Sequence, residues 1–280
     1  MVYHRDTWYY DVSVGDHVRL LAPVDEYFGL TELTNVADLS VCGTVSVAPT
    51  LVELPLDDIQ REAIEGMYVT FPQSLNIIEF FNFDRFGEYV LGNGRQFQPT
   101  QVFEPGSTDA VALAAANEVN QLRVDDARGG QNPDPAIHPN GLEFTLDNRF
   151  RGGDLVANLT GVVDYAFGDY KIQPTQGADY TAINPRTEVP EFAGATVRVA
   201  AFNVLNLFTH LDDGDNDICG PLATNECRGA DNETEYIRQR DKIVAGIVGL
   251  DADVVGLMEI ENDIRDDEPV YPNLAHDPVI

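Results

Sequence analysis

The sequence predicts a mainly β N-terminal region of tandem OB-like Greek-key barrels, followed by a strand–helix–strand portion of an α/β domain. Three observations carry this. Residues 1–190 break into short strand-like runs punctuated by Gly, Pro, Asn and Asp, with little helical periodicity. Within them one turn–strand–aromatic pattern occurs twice. Beyond residue 194 the texture becomes a long apolar strand, a long amphipathic helix and a second apolar strand. The organisation expected is a first OB-like unit over 1–62, entered partway, and a second over 63–180 carrying an inserted loop and helix. A linker over 181–194 and an opening α/β portion over 195–280 follow.

In the β region the strand-like runs include His17–Leu21, Met67–Phe71, Glu88–Leu91 and Leu155–Leu159. Thr108–Leu122, "TDAVALAAANEVNQL", is the exception, an alanine-rich helix with a Thr at its start. Asp125–Gly141 carries Gly129, Gly130, Pro133, Pro135 and Pro139, so it reads as loop. The repeat pairs Gly15-Asp16-His17-Val18 and Val24-Asp25-Glu26-Tyr27-Phe28-Gly29 with Gly153-Asp154-Leu155-Val156 and Val163-Asp164-Tyr165-Ala166-Phe167-Gly168. Gly-Asp turns into a strand and Phe-Gly turns out of one. Such a unit suits a small Greek-key barrel whose aromatics either stack on nucleic acid or saccharide or fill the barrel ends. No basic residues interleave with Tyr27, Phe28, Tyr165 and Phe167, which favours filling.

Charge is the compositional outlier. The 280 residues hold 47 acidic side chains against 17 basic ones, a net charge of −30. Lysine occurs only at 171 and 242. Such a chain is a poor non-specific ligand for phosphate backbones. The scattered acids fit a saline setting, where ions screen their repulsion, better than a dedicated cation store. No apolar run approaches the ~20 residues of a membrane span, and no basic-then-apolar leader opens the sequence. Nothing points to a protein partner. Cys219 and Cys227 share a polar loop where a small disulfide is plausible and implies secretion. A zinc set lacks its remaining ligands. Cys42 reads as a lone buried thiol.

Residues 181–194, "TAINPRTEVPEFAG", form the linker. Val197–Leu205 is a strand, and "DNETEYIRQRDKIVAGIVGL" a helix. Asn232 is the N-cap and Glu235 completes a capping box. Ile237, Ile243, Val244, Ile247 and Leu250 supply the apolar stripe. Asp251-Ala252-Asp253 ends the helix before the strand Val254–Ile260. A right-handed crossover sets the strands side by side, so Asn203 and Glu259 reach one edge. An amide and a carboxylate there suit a hard cation, since Mg²⁺ takes one or two protein carboxylates and leaves the rest to water and phosphate. The plain alternative is a strand ending in polar residues. Arg238 and Arg240 read as helix-surface partners of Glu233, Glu235 or Asp241.

"VRVAAFNVLNLF" and "CRGADNETEYIRQRDKIVAGIVGLDADVVGLMEIEND" resemble the first third of the endonuclease/exonuclease/phosphatase superfamily, the DNase-like four-layer α/β sandwich. "GRQFQPTQVFEPG" and "VVDYAFGDYKIQPT" extend the resemblance to secreted bacterial nucleases of the NucH/ExeM type, with their OB-like upstream region. The resemblance implies an extracellular, metal-dependent nuclease acting on DNA or RNA. Asn203 and Glu259 would be its catalytic, metal-site residues, with Mg²⁺, Mn²⁺ or Ca²⁺ as the cation. Asn206, Glu261 and Asp263 stand as candidates for supporting that site, each otherwise a surface or loop residue. The family's later Asp–His pair and further ligands have no counterpart here, and His210 and His276 read as loop residues. The expectation is therefore a front portion without activity of its own. Phosphatases of the same superfamily and an OB-type nucleic-acid or glycan binder are the alternatives.

Overall fold

A computed structural model describes residues 2–3, 12–187, 194, 196–212, 214, 217–220, 222 and 224–261. It is mainly β and divides into two compact units, 1–185 and 186–280.

The first unit opens with β1 (Val2–Tyr3), β2 (Asp16–Leu21), β3 (Val24–Tyr27), β4 (Leu30–Thr34) and β5 (Asp38–Thr44). These form two small sheets, β1-β4-β3 and β2-β5, where a closed barrel was expected. There follow β6 (Thr50–Leu51), α1 (Asp58–Glu62), β7 (Tyr68–Phe71), β8 (Leu75–Glu79), α2 (Phe83–Phe86), β9 (Tyr89–Gly92), α3 (Pro99–Val102), α4 (Thr108–Val119), β10 (Gln121–Val124), β11 (Leu155–Ala157), β12 (Leu159–Ala166), β13 (Asp169–Pro174) and β14 (Asp179–Thr181). Nine of these strands make one mixed, half-barrel sheet in the order β14-β11-β8-β9-β10-β13-β12-β7-β6. The sheet takes its first strand from Thr50–Leu51, ahead of the boundary at 62 that the sequence suggests.

Local chemistry explains the element ends. Ser107, rather than Thr108, caps α4 by accepting from the Ala110 N–H at 3.1 Å. That helix stops at Val119 because Gln121–Val124 pair with β9. The run Leu155–Leu159 is cut at Asn158, whose φ of +55° breaks the strand in two.

The sequence repeat is a structural repeat, and it runs further than its motifs. Both Phe-Gly pairs are two-residue hairpin turns, with φ of +50° and +90° at Phe28-Gly29 and +57° and +84° at Phe167-Gly168. Both Gly-Asp turns are closed by the Asp carboxylate, which accepts from the N–H three residues back at 2.8 Å (Ser13 to Asp16, Arg151 to Asp154). Beyond the motifs, β2 pairs antiparallel with β5 as β11 does with β14. Likewise β1 pairs parallel with β4 as β10 does with β13. The difference is the hairpin β8–β9, which joins β11 to β10 in the large sheet. No described strand takes that place between β2 and β1. Burial follows: Val163 is 3% exposed, while its counterpart Val24 is 68% exposed. Cys42, on this open sheet, is exposed rather than buried.

The continuous sheet encloses a core of Val69, Phe71, Leu75, Ile77, Leu91 and Val156, with Phe83, Phe144 and Phe150 packed edge to face at 4.8–5.4 Å. Asp154 is buried beside it, 1% exposed, and meets four donors. These are the N–H groups of Arg151, Ile183 and Asn184 and the Tyr180 hydroxyl, at 2.6–2.9 Å. Burial alone would raise its pKa, but these bonds outweigh that and hold it below the usual aspartate value. Lys171 is likewise buried, bonded to Glu88 and, at 3.0 Å, to Asp125.

Asp154→Ala strands several buried donors, each worth about 1–3 kcal/mol, so it should lower the unfolding free energy by roughly 3 kcal/mol or more. Asp16→Ala, the same turn in a partly exposed setting, should cost under about 1 kcal/mol. Urea unfolding of the two variants checks the contrast.

Candidate metal centre

The second unit holds β15 (Val199–Leu207), α5 (Glu233–Leu250) and β16 (Val254–Ile260). The two strands are parallel, with Val199 opposite Val254 and Asn203 opposite Met258. One face of the pair packs under α5, where Val204, Leu207 and Ile243 are buried with Phe202, Tyr236, Ile247, Leu257 and Ile260 around them. The packing stripe therefore runs through Tyr236, while Ile237 faces outward, 39% exposed. Gly246 lets the helix approach the Phe202 ring, which would lie 3.1 Å from an added Cβ. The other face, with Val199, Leu205, Val254 and Met258, is exposed.

Asn232 caps α5 by accepting from the Glu235 N–H at 3.0 Å. The reciprocal bond of a capping box is displaced, since the Glu235 carboxylate accepts from Asp231 at 3.3 Å. Asp251, in the left-handed region, closes the helix.

The crossover brings Asn203 and Glu259 into contact. The Asn203 Nδ2 donates to Glu259 Oε1 at 2.7 Å, and both residues are solvent-exposed. The strand register breaks at this point: Asn203 pairs with Met258 and Leu207 with Ile260, so Val204–Asn206 oppose Glu259 alone. Leu205, Asn206 and Glu259 all have positive φ, +54°, +55° and +62°. Left-handed backbone costs such residues about 1–3 kcal/mol each and clusters at functional sites. Side chains tie the bulge down. Asn203 Oδ1 accepts from Leu205 N–H at 2.8 Å, and Gln239 of α5 donates to the Leu205 carbonyl at 2.7 Å.

Glu261, two residues on, departs from the surface position the sequence suggests. It is 5% exposed and fixes the segment that follows β15. Its carboxylate accepts from the Thr209 N–H and hydroxyl and from the His210 N–H at 2.8–3.2 Å, and lies 2.6 Å from His210 Nδ1. Burial alone would raise its pKa; the His210 and Thr209 bonds outweigh this and keep it below the ordinary 4.5. His210 is thereby a structural partner rather than a free loop residue. Its neighbourhood with Glu261 and Cys219 places three ligand types within 4.8 Å. Cys219 is bonded to Cys227 in a disulfide, so no thiolate is available and the group is not a metal set. Asn206 lines a cavity beside the bulge. Asp263 and His276 lie outside the described residues. Arg238 approaches Glu235 at 3.9 Å and Arg240 pairs with Asp241 at 3.0 Å, the helix-surface pairing expected.

The donor set of Asn203 and Glu259 fits a hard cation. One Glu259 carboxylate oxygen accepts the Asn203 bond, and the group stays exposed at the strand ends, where water and a substrate oxygen can complete a shell. Nothing in the sequence marks the bulge or the buried Glu261; only the density of acids after Met258 hints at them.

Residues 60–185, within the first unit, match the family described as Domain of unknown function (DUF8508). No curated protein and no solved structure matches the chain.

The lowered pKa of Glu261 stabilises the fold above its unfolded value of 4.5, and that contribution is lost as pH falls below it. Glu261→Gln should lower the unfolding midpoint at neutral pH, and the gap to the parent should close on acidification below 4.5. Urea titrations across that range check this.

Proposed function

We propose that residues 195–280 are the opening part of an extracellular, metal-dependent nuclease domain of the endonuclease/exonuclease/phosphatase type. It would hydrolyse phosphodiester bonds of DNA or RNA, with the β region as its accessory portion. The observation that carries this reading is the 2.7 Å Asn203–Glu259 contact at the shared ends of two parallel strands, on strained backbone. Glu259 and Asn203 would hold Mg²⁺ or Mn²⁺, which supplies charge neutralisation at the phosphate and at the leaving oxygen. The chain's own residues do the positioning. Asn203 fixes one carboxylate oxygen of Glu259, and Gln239 and Glu261 hold the segments on either side. The Cys219–Cys227 disulfide favours an oxidising compartment. The His210 ring is engaged by Glu261, so no described residue at the strand ends stands ready as a general base.

A second reading, binding of nucleic acid or glycan by the β region, draws support from a cavity of about 840 Å³ in the first unit. Phe86, Arg123, Phe167 and Lys171 line it.

Plasmid nicking with Mg²⁺ or Mn²⁺ tests the leading reading. The chain alone should not cut, and the complete gene product should. Glu259→Ala in that product should lower the rate at least about 100-fold, the scale of losing several kcal/mol of metal-supplied charge stabilisation. Full activity in the Glu259→Ala variant would defeat the proposal.

A further inference from the structure

The cavity beside the bulge, about 620 Å³, is chemically unlike the rest of the chain. Val204, Leu205 and Asn206 form one wall, so it begins where Asn203 ends. At the strand rise of ~3.3 Å per residue, its floor lies within about 10 Å of Asn203. The lining also carries Arg228, Arg238 and Lys242. Three cations thus line one cavity together with two acids, Asp212 and Glu235, in a chain where acids outnumber bases 47 to 17. The two acids offset part of this charge. Glu235 receives the Asp231 N–H and stands 3.9 Å from Arg238. Arg228 and Lys242 have no hydrogen bond or ion pair among the described residues.

Arg228 and Lys242 are exposed and unengaged among the described residues, so they are free to receive an anion. Guanidinium suits the paired oxygens of a phosphate, and ammonium suits its charge. Carboxylates elsewhere repel a polyanion, so an isolated basic cavity focuses it at one place. We propose that this cavity binds a backbone phosphate of a nucleic-acid strand, one flanking the phosphodiester held at Asn203 and Glu259. Arg228 and Lys242 supply its charge contacts. The link to the reacting phosphodiester rests on the nuclease reading; the anion site does not.

The test is fluorescence anisotropy of a short labelled oligodeoxythymidine with the full chain in EDTA, over a range of salt. The parent should bind. The double variant Arg228→Ala/Lys242→Ala should lose at least about tenfold in affinity, and its salt slope should fall by about 0.7, the single-strand value for one neutralised phosphate. The charge-conserving Arg228→Lys/Lys242→Arg variant should keep most of the binding, which separates charge from misfolding. No binding by the parent, or equal affinity and slope in the double variant, overturns the proposal. Mn²⁺ binding to the same proteins and to Glu259→Ala is read in parallel. Mn²⁺ binding that needs Glu259, with oligonucleotide binding unchanged in the double variant, removes the phosphate site and spares the nuclease reading. Oligonucleotide binding that needs Arg228 and Lys242, with no Mn²⁺ binding, supports the anion site and removes the nuclease reading.

Discussion

Parallel pairing of β15 with β16 is the constraint from which the second unit's site follows. Parallel neighbours cannot be joined by a tight turn, so the chain must cross over, and α5 is that crossover. The helix covers one face of the pair and sends both strands out at the same edge. There Asn203 and Glu259 meet, although 56 positions separate them in sequence. Three residues against one force the backbone into left-handed conformations, at a cost of about 1–3 kcal/mol each. The Asn203 turn, the Gln239 bond and the Glu261 carboxylate offset that cost. The result is a hydrogen-bonded edge with an exposed carboxylate.

In the first unit, sheet continuity has the corresponding role. The β8–β9 hairpin joins two groups of strands into one sheet, and the core beneath is closed. The strands of residues 2–44 repeat the plan without such a hairpin and leave Leu21, Val24, Tyr27 and Val41 exposed. The same local turn chemistry, Gly-Asp into a strand and Phe-Gly out of it, therefore serves one sealed sheet and two open ones. Local sequence sets the turns, and burial depends on which strands are present to pair.

How much was legible follows from the range of the interactions. The strand Val254–Ile260, the Asn232 cap and the Cys219–Cys227 bridge could be read because periodicity, capping and loop spacing are local signals, and the Asn203–Glu259 meeting because parallel strands are joined by a crossover. The mainly β character of the first unit was legible for the same reason. The register break at Glu259 was not, because it arises from pairing between strands. Burial of Glu261 was hidden as well: its partners Thr209 and His210 lie some fifty residues away, and an acid after a strand looks like loop. Lys171 shows the same blindness, since Glu88 and Asp125 reach it across the sheet. The extent of the repeat was obscured because only its turns carry distinctive residues.

The central claim is that the Asn203–Glu259 edge holds a divalent cation. Electron paramagnetic resonance of Mn²⁺ titrated into the full chain tests this most directly, with Glu259→Ala and Glu233→Ala compared. The account predicts bound Mn²⁺ that is lost in Glu259→Ala and retained in Glu233→Ala, an exposed acid on the first turn of α5. Equal binding in all three proteins would assign the metal to the general acidity of the chain and contradict the account.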